Sequence, residues 1–202
     1  MAQRRMRMTA EDRKEQLIEL ASQMIAKQGF TGFSISALAA AAGLTRAGVS
    51  HHVGSKEELL VEVIRLKERQ SSQVTRDAVQ RAGQMNPREI LDILFRRNIE
   101  RPEITHLFTT LAVESIRPDH PAHEYFADRI TRGARQLRPL LESVSDHPER
   151  MAIEILSFMD GLQLNWLRDR SIDVWAHWSA FADRYVPKSG DGASTPAAEH
   201  NL

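Results

Sequence analysis

The sequence predicts an all-α fold with two helical domains, and three observations favour this class. Apolar residues recur at helical spacing through most of the 202 residues, and no segment shows the alternation of a strand. Residues that typically begin helices, Ser34, Thr45 and Ser55, cluster in a short stretch near the N-terminus. Proline stands at the expected first turn of several later helices. We therefore expect about nine helices, with a three-helix helix-turn-helix domain first and a C-terminal helical domain after it.

The first helix is predicted to run from Thr9 to about Gln28. Thr9 is a favourable N-cap residue, and Asp12 places an acid in the first turn. Gly29 is predicted to end this helix. The apolar side chains form one core-facing stripe: Leu17, Leu20, Ala21, Met24 and Ile25.

Two short helices follow, at 35–42 and 46–52. Ser34 and Thr45 are their N-cap residues. Gly43 lies between them, where a left-handed conformation can turn the chain without steric cost. Two short helices joined in this way form a helix-turn-helix, whose second helix fits the major groove of DNA.

A longer helix is predicted to begin at Lys56. Ser55 and Glu58 have the spacing of a capping box. The helix is apolar on one side at first and turns polar beyond Lys67, so we expect it to connect the N-terminal module to the rest.

Five more helices are predicted in the second half. Pro139 lies inside the third of these patterns and should kink or end that helix. The tail, 187–202, is rich in Gly, Ser, Pro and Ala and is predicted to be disordered. The predicted helices begin at Pro87, Pro102, Pro121, Pro148 and just after Asp173, and end near Glu100, Ile116, Val144, Asp169 and Val186.

Composition excludes several classes of protein. The chain has no cysteine, which excludes disulfides, thiolate metal sites and cysteine nucleophiles. No apolar run approaches the ~18 residues of a membrane span, and the basic N-terminus lacks the apolar core of a signal peptide. We expect a cytoplasmic protein with no membrane association.

The net charge of zero conceals an uneven distribution. Residues 1–56 carry a formal charge of +4, and the remainder carries −4. A segregated positive charge is typical of a surface that binds a polyanion. The sequence therefore predicts that the N-terminal module contacts nucleic acid.

Residues 13–63 resemble the DNA-binding domain of the TetR family of bacterial transcriptional regulators. Ser50 and Val53 stand where the family commonly has an aromatic residue and a phenylalanine. Beyond this module the resemblance is limited to an all-helical layout and the stretch Asp160 to Gln163. The matching pieces are Leu17–Ala26, Gly29-Phe30, Ile35, Leu38-Ala39, Ala42–Thr45, His51-His52 and Ser55–Leu59.

The exposed face of the second short helix is the predicted DNA contact. Arg46 can donate to guanine O6 and N7 together, and Lys56 stands at a helix start that favours phosphate. The alternative for Arg46 is a solvent-exposed arginine without a DNA contact. The alternative for the basic arm, 1–8, is a flexible terminus. The predicted contact residues are Ser34, Thr45, Arg46, Ala47, Ser50, His51, His52, Lys56, Arg4 and Arg5.

The last two helices are predicted to form a homodimer interface. The penultimate helix is apolar on more than one face, which requires burial on two sides. A two-fold four-helix interface would supply the second side, and the alternative is a central core helix in a monomer. The predicted interface residues are Ile155, Leu156, Met159, Leu162, Trp175, Trp178 and Phe181.

The family resemblance implies a small-molecule pocket in the C-terminal domain. For any one of the candidates, a simple core position is an equally good interpretation. Glu114 could face a cationic effector or merely be solvated. The candidate lining residues are Phe95, Asn98, His106, Phe108, Leu111, Glu114, Phe126, Asn165 and Trp166.

Metal binding and catalysis are the competing classes of function. His120 and His123 flank a proline, a weak metal signal that more simply marks a helix start. No motif for an acyl-transfer nucleophile, a phosphate loop, a dinucleotide or a zinc protease is present. We expect no metal, no cofactor and no enzymatic activity.

The sequence as a whole predicts a ligand-responsive regulator that binds a palindromic operator as a dimer. The expected domains are 1–56 for DNA binding, 57–186 for effector binding and dimerisation, and the tail. Family resemblance favours a repressor that a small molecule releases from DNA. An activator of the same fold, or a helical ligand-binding protein without DNA activity, are the alternatives.

Overall fold

The computed structural model describes residues 9–80 and 86–186, and every element in these two segments is helical. The ten helices are α1 (Ala10–Gly32), α2 (Ile35–Ala42), α3 (Arg46–Val53), α4 (Lys56–Gln80), α5 (Pro87–Glu100), α6 (Pro102–Glu114), α7 (His123–Ala127), α8 (Arg129–Leu141), α9 (Pro148–Arg168) and α10 (Val174–Tyr185). The predicted all-α class is confirmed.

The helix starts lie where the capping residues place them. Thr9 accepts a hydrogen bond from the Asp12 backbone N–H, and the Asp12 carboxylate accepts one from the Thr9 N–H, at 3.1 and 3.2 Å. Asn86 and Glu89 form a second capping box at the start of α5. Asp173 accepts from the Ala176 N–H at 2.9 Å and begins α10. Local side-chain chemistry therefore sets these boundaries.

Two predicted helices differ from the observed ones. α1 does not stop at Gly29; it passes through a kink there, with φ 73° and ψ 168°, and continues to Gly32. The single helix expected from Pro121 is two helices, α7 and α8, separated at Asp128. It also starts later, because the His120 ring accepts from the Ala122 N–H at 3.1 Å and holds that segment in a turn.

Side chains pack into two apolar clusters. The first joins α1, α2, α3 and the first half of α4, and it includes Leu107 and Leu111 of α6. The second joins α5, α8, α9 and α10 around Trp178, which is fully buried. The helix α6 therefore packs against the N-terminal module although it belongs to the second half of the chain.

A buried polar group fastens α5 to α10. Arg88 is 1% exposed and donates to Asp92 at 2.9 Å and to Asp183. The Trp178 indole N–H donates to the same Asp92 carboxylate at 2.7 Å. A buried guanidinium is tolerated only with such partners.

None of the described helices is long and apolar enough to cross a membrane.

Candidate nucleic-acid interface and cavity

The turn between α2 and α3 depends on one left-handed residue. Gly43 has φ 65° and ψ 33°, and its N–H donates to the Ala40 carbonyl at 3.2 Å. The Leu44 N–H donates to the Ala39 carbonyl at 2.9 Å, which closes the end of α2. This turn fixes the angle at which α3 leaves the module.

The helix α3 has a buried face and an exposed face. Val49 and Val53 are 0% and 5% exposed and hold the helix on the first apolar cluster. The Thr45 side chain caps the helix by accepting from the Gly48 N–H at 3.0 Å. The opposite face exposes Arg46, Ala47, Ser50 and His51, together with Thr45 itself; His52 is half-buried.

The exposed face of α3 carries hydrogen-bond donors that could contact the edges of bases in a DNA groove. Arg46 offers a forked donor for a guanine edge, and Ser50 and His51 can bond to phosphate or base. Ala47 adds little bulk, so the helix backbone can approach a groove closely. The predicted residues of α3 are therefore displayed together on one surface.

Lys56 has a contact that the sequence did not reveal. Its ammonium lies over the Phe30 ring, 4.4 Å from the ring centroid, and the residue is half-buried. The Ser55 N–H already donates to Glu58 at 2.7 Å, so one donor at this helix start is occupied by the capping box.

Ser34 is exposed and caps α2 by accepting from the Ala37 N–H at 3.2 Å. Arg4 and Arg5 lie outside the described residues.

A carboxylate from α6 holds the kink of α1. Glu114 accepts from the Phe30 N–H at 2.7 Å and from the Thr31 N–H at 3.4 Å. Gly29 has non-helical backbone angles immediately before these two amides. A Cβ at Gly29 would collide with the Glu114 carboxylate. The last residue of α6 is therefore fitted to the end of α1.

His120 is packed beside this carboxylate. Its ring meets the Phe30 ring edge-on at 5.3 Å, and its Nε2 lies 4.0 Å from the Glu114 carboxylate. Burial lowers the pKa of His120, and the nearby Glu114 only partly opposes this effect. The ring is therefore neutral at pH 7.

A cavity of about 440 Å³ lies among α5, α6, α8 and α9 in the second half of the chain. This volume is in the range of small-molecule sites, roughly 300–1,000 Å³. The wall is apolar at Leu94, Phe108, Leu156 and Met159. One face of α6, from Ile104 to Val113, supplies part of that wall.

Charged side chains are placed unevenly around the cavity. Arg129 and Asp160 form an ion pair at 2.9 Å. Arg132 pairs with Asp128 at 2.8 Å and lies over the Tyr125 ring at 4.8 Å. Burial, and secondarily the charge of Glu68, raises the pKa of Tyr125 to about 12, so its hydroxyl stays protonated.

Two of the nine predicted pocket residues, Asn98 and Phe108, line this cavity. Glu114 instead caps α1, as described above, and Leu111 belongs to the first apolar cluster. The other five lie elsewhere. Phe95 is buried against Trp178, and Phe126 packs on Phe108 and Tyr125. Trp166 is half-buried beneath the Arg170 guanidinium. His106 and Asn165 are exposed.

Sequence reasoning did not single out the polar residues Arg97, Arg101 and Gln163 of the cavity wall. A signal was present, because Arg97 adjoins Asn98 and Arg101 follows one helical turn later. Residues at that spacing share a face of a helix, and Arg101 directly follows the end of α5.

The predicted dimer interface requires correction at three positions. Ile155, Met159 and Trp178 are 1%, 4% and 0% exposed within one chain, so they are core residues of the protomer. Leu156 and Leu162 of α9 and Trp175 and Phe181 of α10 are half-buried. An interface on these helices would have to use the outward side chains instead.

The two histidines considered for metal binding contact backbone groups. The His120 ring accepts from the Ala122 N–H, and His123 Nδ1 lies 2.8 Å from the Ser115 carbonyl oxygen. Within the described residues, no group of three or more His, Asp or Glu side chains could hold a metal ion.

Comparison with known proteins agrees with this architecture. The family described as bacterial regulatory proteins, TetR family, matches residues 17–63, which span most of α1, all of α2 and α3, and the start of α4. The N-terminal module, residues 17–63, is therefore similar to the DNA-binding domain of the TetR family. No curated protein matches the sequence significantly.

Solved structures share the TetR-like fold over most of the chain. AibR, in complex with isovaleryl coenzyme A and operator DNA, is 20% identical with a TM-score of 0.63, covering 87% of this chain and 98% of AibR. The fatty acid degradation regulator FadR from Bacillus halodurans is 18% identical with a TM-score of 0.65, covering 86% and 94%. A proposed TetR-family transcriptional regulator from Mesorhizobium loti is 17% identical with a TM-score of 0.65, covering 89% and 97%.

Proposed function

We propose that this TetR-family protein is a ligand-responsive repressor that binds a palindromic operator as a homodimer and is released by a small molecule. One observation supports the proposal above the others. The helix α6 lines the cavity along one face and ends at Glu114, which caps the kink of α1 in the DNA-binding module. The same helix therefore touches both sites that such a regulator needs.

In this proposal α3 reads the operator. Arg46 donates to a guanine edge, while Ser50, His51 and the helix start at Ser34 contact the backbone. The half-buried Lys56 lies beside Phe30, from which its flexible stem can reach a phosphate. Arg4 and Arg5 would track the adjacent backbone or minor groove.

Ligand binding is coupled to DNA binding through α6. A molecule in the cavity contacts the face of α6 that includes Phe108, and a shift of α6 moves Glu114 together with the amides it holds. Because α1 packs on α3 in one apolar cluster, α3 would follow. Ligand and DNA then favour different positions of one helix, which is the requirement for allosteric coupling.

The homodimer forms through the outward faces of α9 and α10. Ile153 is 38% exposed, Tyr185 is 41% exposed, and both lie on these helices. The Phe158 and Phe181 rings stack at 3.8 Å and are half-buried, so a partner could cover them. A two-fold pair of helix hairpins would bury this surface.

A charged substitution on the outer face of α9 tests the dimer. Ser157 is exposed within the chain, so Ser157→Arg should leave the protomer folded but produce monomers in sedimentation. The matched control is Ser143→Arg, which lies beyond the end of α8 and should remain dimeric. A Ser157→Arg protein that sediments as a dimer would place the interface elsewhere.

The first experiment on function is selection of bound duplexes from random DNA, followed by a salt titration on the enriched sequence. We expect a palindrome and an affinity that falls steeply with salt, because lysines and arginines displace counterions from phosphates. Arg46→Ala should weaken specific binding by about 1–3 kcal/mol and relax preference at one base of each half-site. The control is Arg138→Ala, at an exposed position of α8.

Two outcomes separate the alternatives. A folded dimer that enriches no sequence would favour a helical ligand-binding protein without DNA activity. An operator whose occupancy raises transcription in a reporter would favour an activator of the same fold.

A further inference from the structure

We propose that protonation of His120 loosens the contact between α1 and α6 and weakens operator binding, so that the protein responds to acid as well as to a ligand. The contact, called the α1–α6 junction below, consists of Phe30, Glu114 and His120. None of these residues lines the cavity. The inference therefore goes beyond the proposed function, and only its effect on the operator rests on that function.

The His120 ring is held in the junction from two sides. Its side chain is 8% exposed, and the ring meets the Phe30 ring edge-on with 5.3 Å between the centroids. Its Nε2 lies 4.0 Å from the Glu114 carboxylate, which also accepts from the Phe30 N–H at 2.7 Å. A change of charge on this ring therefore acts directly on the group that holds the end of α1.

The hydrogen bonds of the ring define which nitrogen carries the proton. Nδ1 accepts from the Ala122 N–H at 3.1 Å, so the proton of the neutral His120 ring is on Nε2. Nε2 is buried and has no hydrogen-bond partner among the described residues. The neutral ring thus satisfies the Ala122 amide but leaves its own N–H without an acceptor, which is unusual for a buried polar group.

Protonation reverses both conditions. The second proton is added at Nδ1, which becomes a donor and can no longer face the Ala122 N–H. The Nε2–H group of the imidazolium is attracted at the same time to the Glu114 carboxylate. The ring therefore leaves the Ala122 amide and moves toward Glu114. The bonds from Glu114 to the Phe30 and Thr31 amides weaken as the carboxylate is shared.

The charged groups around the ring come from α6, α4 and the loop after α6. Glu114 of α6 and Asp119 of the loop favour the imidazolium, whereas Arg117 of the loop and Lys56 of α4 oppose it. Asp119 is paired with Arg117 at 2.7 Å, so these two charges largely compensate each other. The helix α1 meets the ring with the uncharged Phe30. Burial is the largest influence and lowers the pKa of the ring, so protonation occurs below the ordinary value of 6.5.

Lys56 connects the junction to the proposed DNA-binding surface. Its ammonium lies 4.4 Å from the centroid of the same Phe30 ring that His120 touches. A second cation beside this ring repels the lysine. Protonation of His120 therefore disturbs both the end of α1 and a residue that we propose contacts phosphate.

The neighbouring His123 does not have this property. Its Nδ1 lies 2.8 Å from the Ser115 carbonyl oxygen, which can only accept, so Nδ1 carries a proton in both charge states. Protonation of His123 adds a proton at Nε2 and leaves this hydrogen bond in place. Of the two histidines, only His120 has to exchange its partner.

Nuclear magnetic resonance of the isotope-labelled, full-length protein tests this exchange. We expect the ring nitrogens of His120 to show the proton on Nε2 at about pH 7.5. The amide shifts of Phe30, Thr31 and Ala122 should change together as the pH falls, with one midpoint below pH 6.5. A neutral ring with its proton on Nδ1, or amides that do not titrate, would overturn the proposal.

Two variants assign the titration to one residue. His120→Gln should abolish the amide titrations, whereas His106→Gln, which removes an exposed histidine of α6, should keep them. Titrations that persist in His120→Gln would overturn the assignment. The wild-type and His106→Gln spectra still test the proposal if His120→Gln does not fold.

Operator affinity tests the functional consequence. Fluorescence anisotropy measures binding of the selected operator by the three proteins at about pH 7.5 and about pH 5.5, at constant ionic strength. The charge gained by His51 and His52 of α3 is common to all three and cancels in the comparison. We expect acid to weaken the wild type and His106→Gln by about fivefold relative to His120→Gln, which is the effect of losing one hydrogen bond. An equal pH dependence in the three proteins would overturn the effect on the operator.

The two readouts separate this inference from the proposed function. A protein that binds no operator but shows the amide titrations would contradict the proposed function and support the proton-dependent junction. A protein that binds an operator, with no titration at the Phe30 amide, would support the proposed function and overturn the inference.

Discussion

Removing the Glu114 carboxylate should destabilise the protein through α1 rather than through the cavity. The side chain is 22% exposed and accepts two backbone N–H groups beyond the Gly29 kink. A hydrogen bond to a charged group contributes about 1.5–3 kcal/mol, and Phe30 is only 6% exposed, so water cannot fully replace its partner. The Thr31 bond is longer and exposed and adds little.

We therefore expect Glu114→Ala to lower the free energy of unfolding by about 2 kcal/mol, and Glu114→Gln by about half as much because one amide oxygen can still accept. Urea unfolding measures this, and hydrogen exchange at the Phe30 amide should quicken in parallel. Glu103→Ala, at the exposed start of the same helix, is the control and should change stability by less than about 0.5 kcal/mol. Equal effects of Glu114→Ala and Glu103→Ala would refute the reasoning.

Two further predictions follow from backbone geometry and from burial. Gly43→Ala should cost about 1–2 kcal/mol in thermal unfolding because its φ is 65°, whereas Gly161→Ala, in a helix with nothing near an added Cβ, should not destabilise. The folded pKa of His120 lies below its ordinary 6.5, so the unfolded chain takes up the proton first as pH falls and stability is lost below about pH 6.5. His120→Gln should flatten this loss in urea titrations between pH 7.5 and 5, while the exposed His106→Gln should keep it. Equal slopes in the two histidine variants, or equal stabilities in the two glycine variants, would contradict these expectations.

Helix boundaries could be predicted from the sequence because short-range chemistry determines them. Ser34, Thr45 and Ser55 accept the hydrogen bonds expected of caps, and each partner lies three residues away. The exposed face of α3 was also predictable, because Val49 and Val53 are its apolar residues and lie one turn apart. Both kinds of information lie within one or two helical turns.

Contacts between distant helices were not predictable in the same way. Glu114 meets Phe30 across more than eighty residues, and nothing near Glu114 in the sequence marks it as a cap for another helix. Trp178 resembled an interface residue because it is large and apolar, yet Phe95 and Asp92 from α5 enclose it within the chain. Apolar periodicity identifies a face that will be buried but does not tell whether the same chain or a partner buries it.

The fit between Glu114 and Gly29 has a consequence for protein engineering. A chimaera that joins this DNA-reading module to the sensing half of another regulator would lose the carboxylate that completes α1, because that group arrives from α6. The recipient would then need an acid at the corresponding end of its own helix. Conversely, a side chain introduced at position 29 would displace the Glu114 carboxylate and would strain the backbone, whose φ there is 73°. A functional chimaera should therefore keep the N-terminal module together with the C-terminal turn of α6. A junction at the start of α4 would separate Glu114 from the α1 amides that it binds.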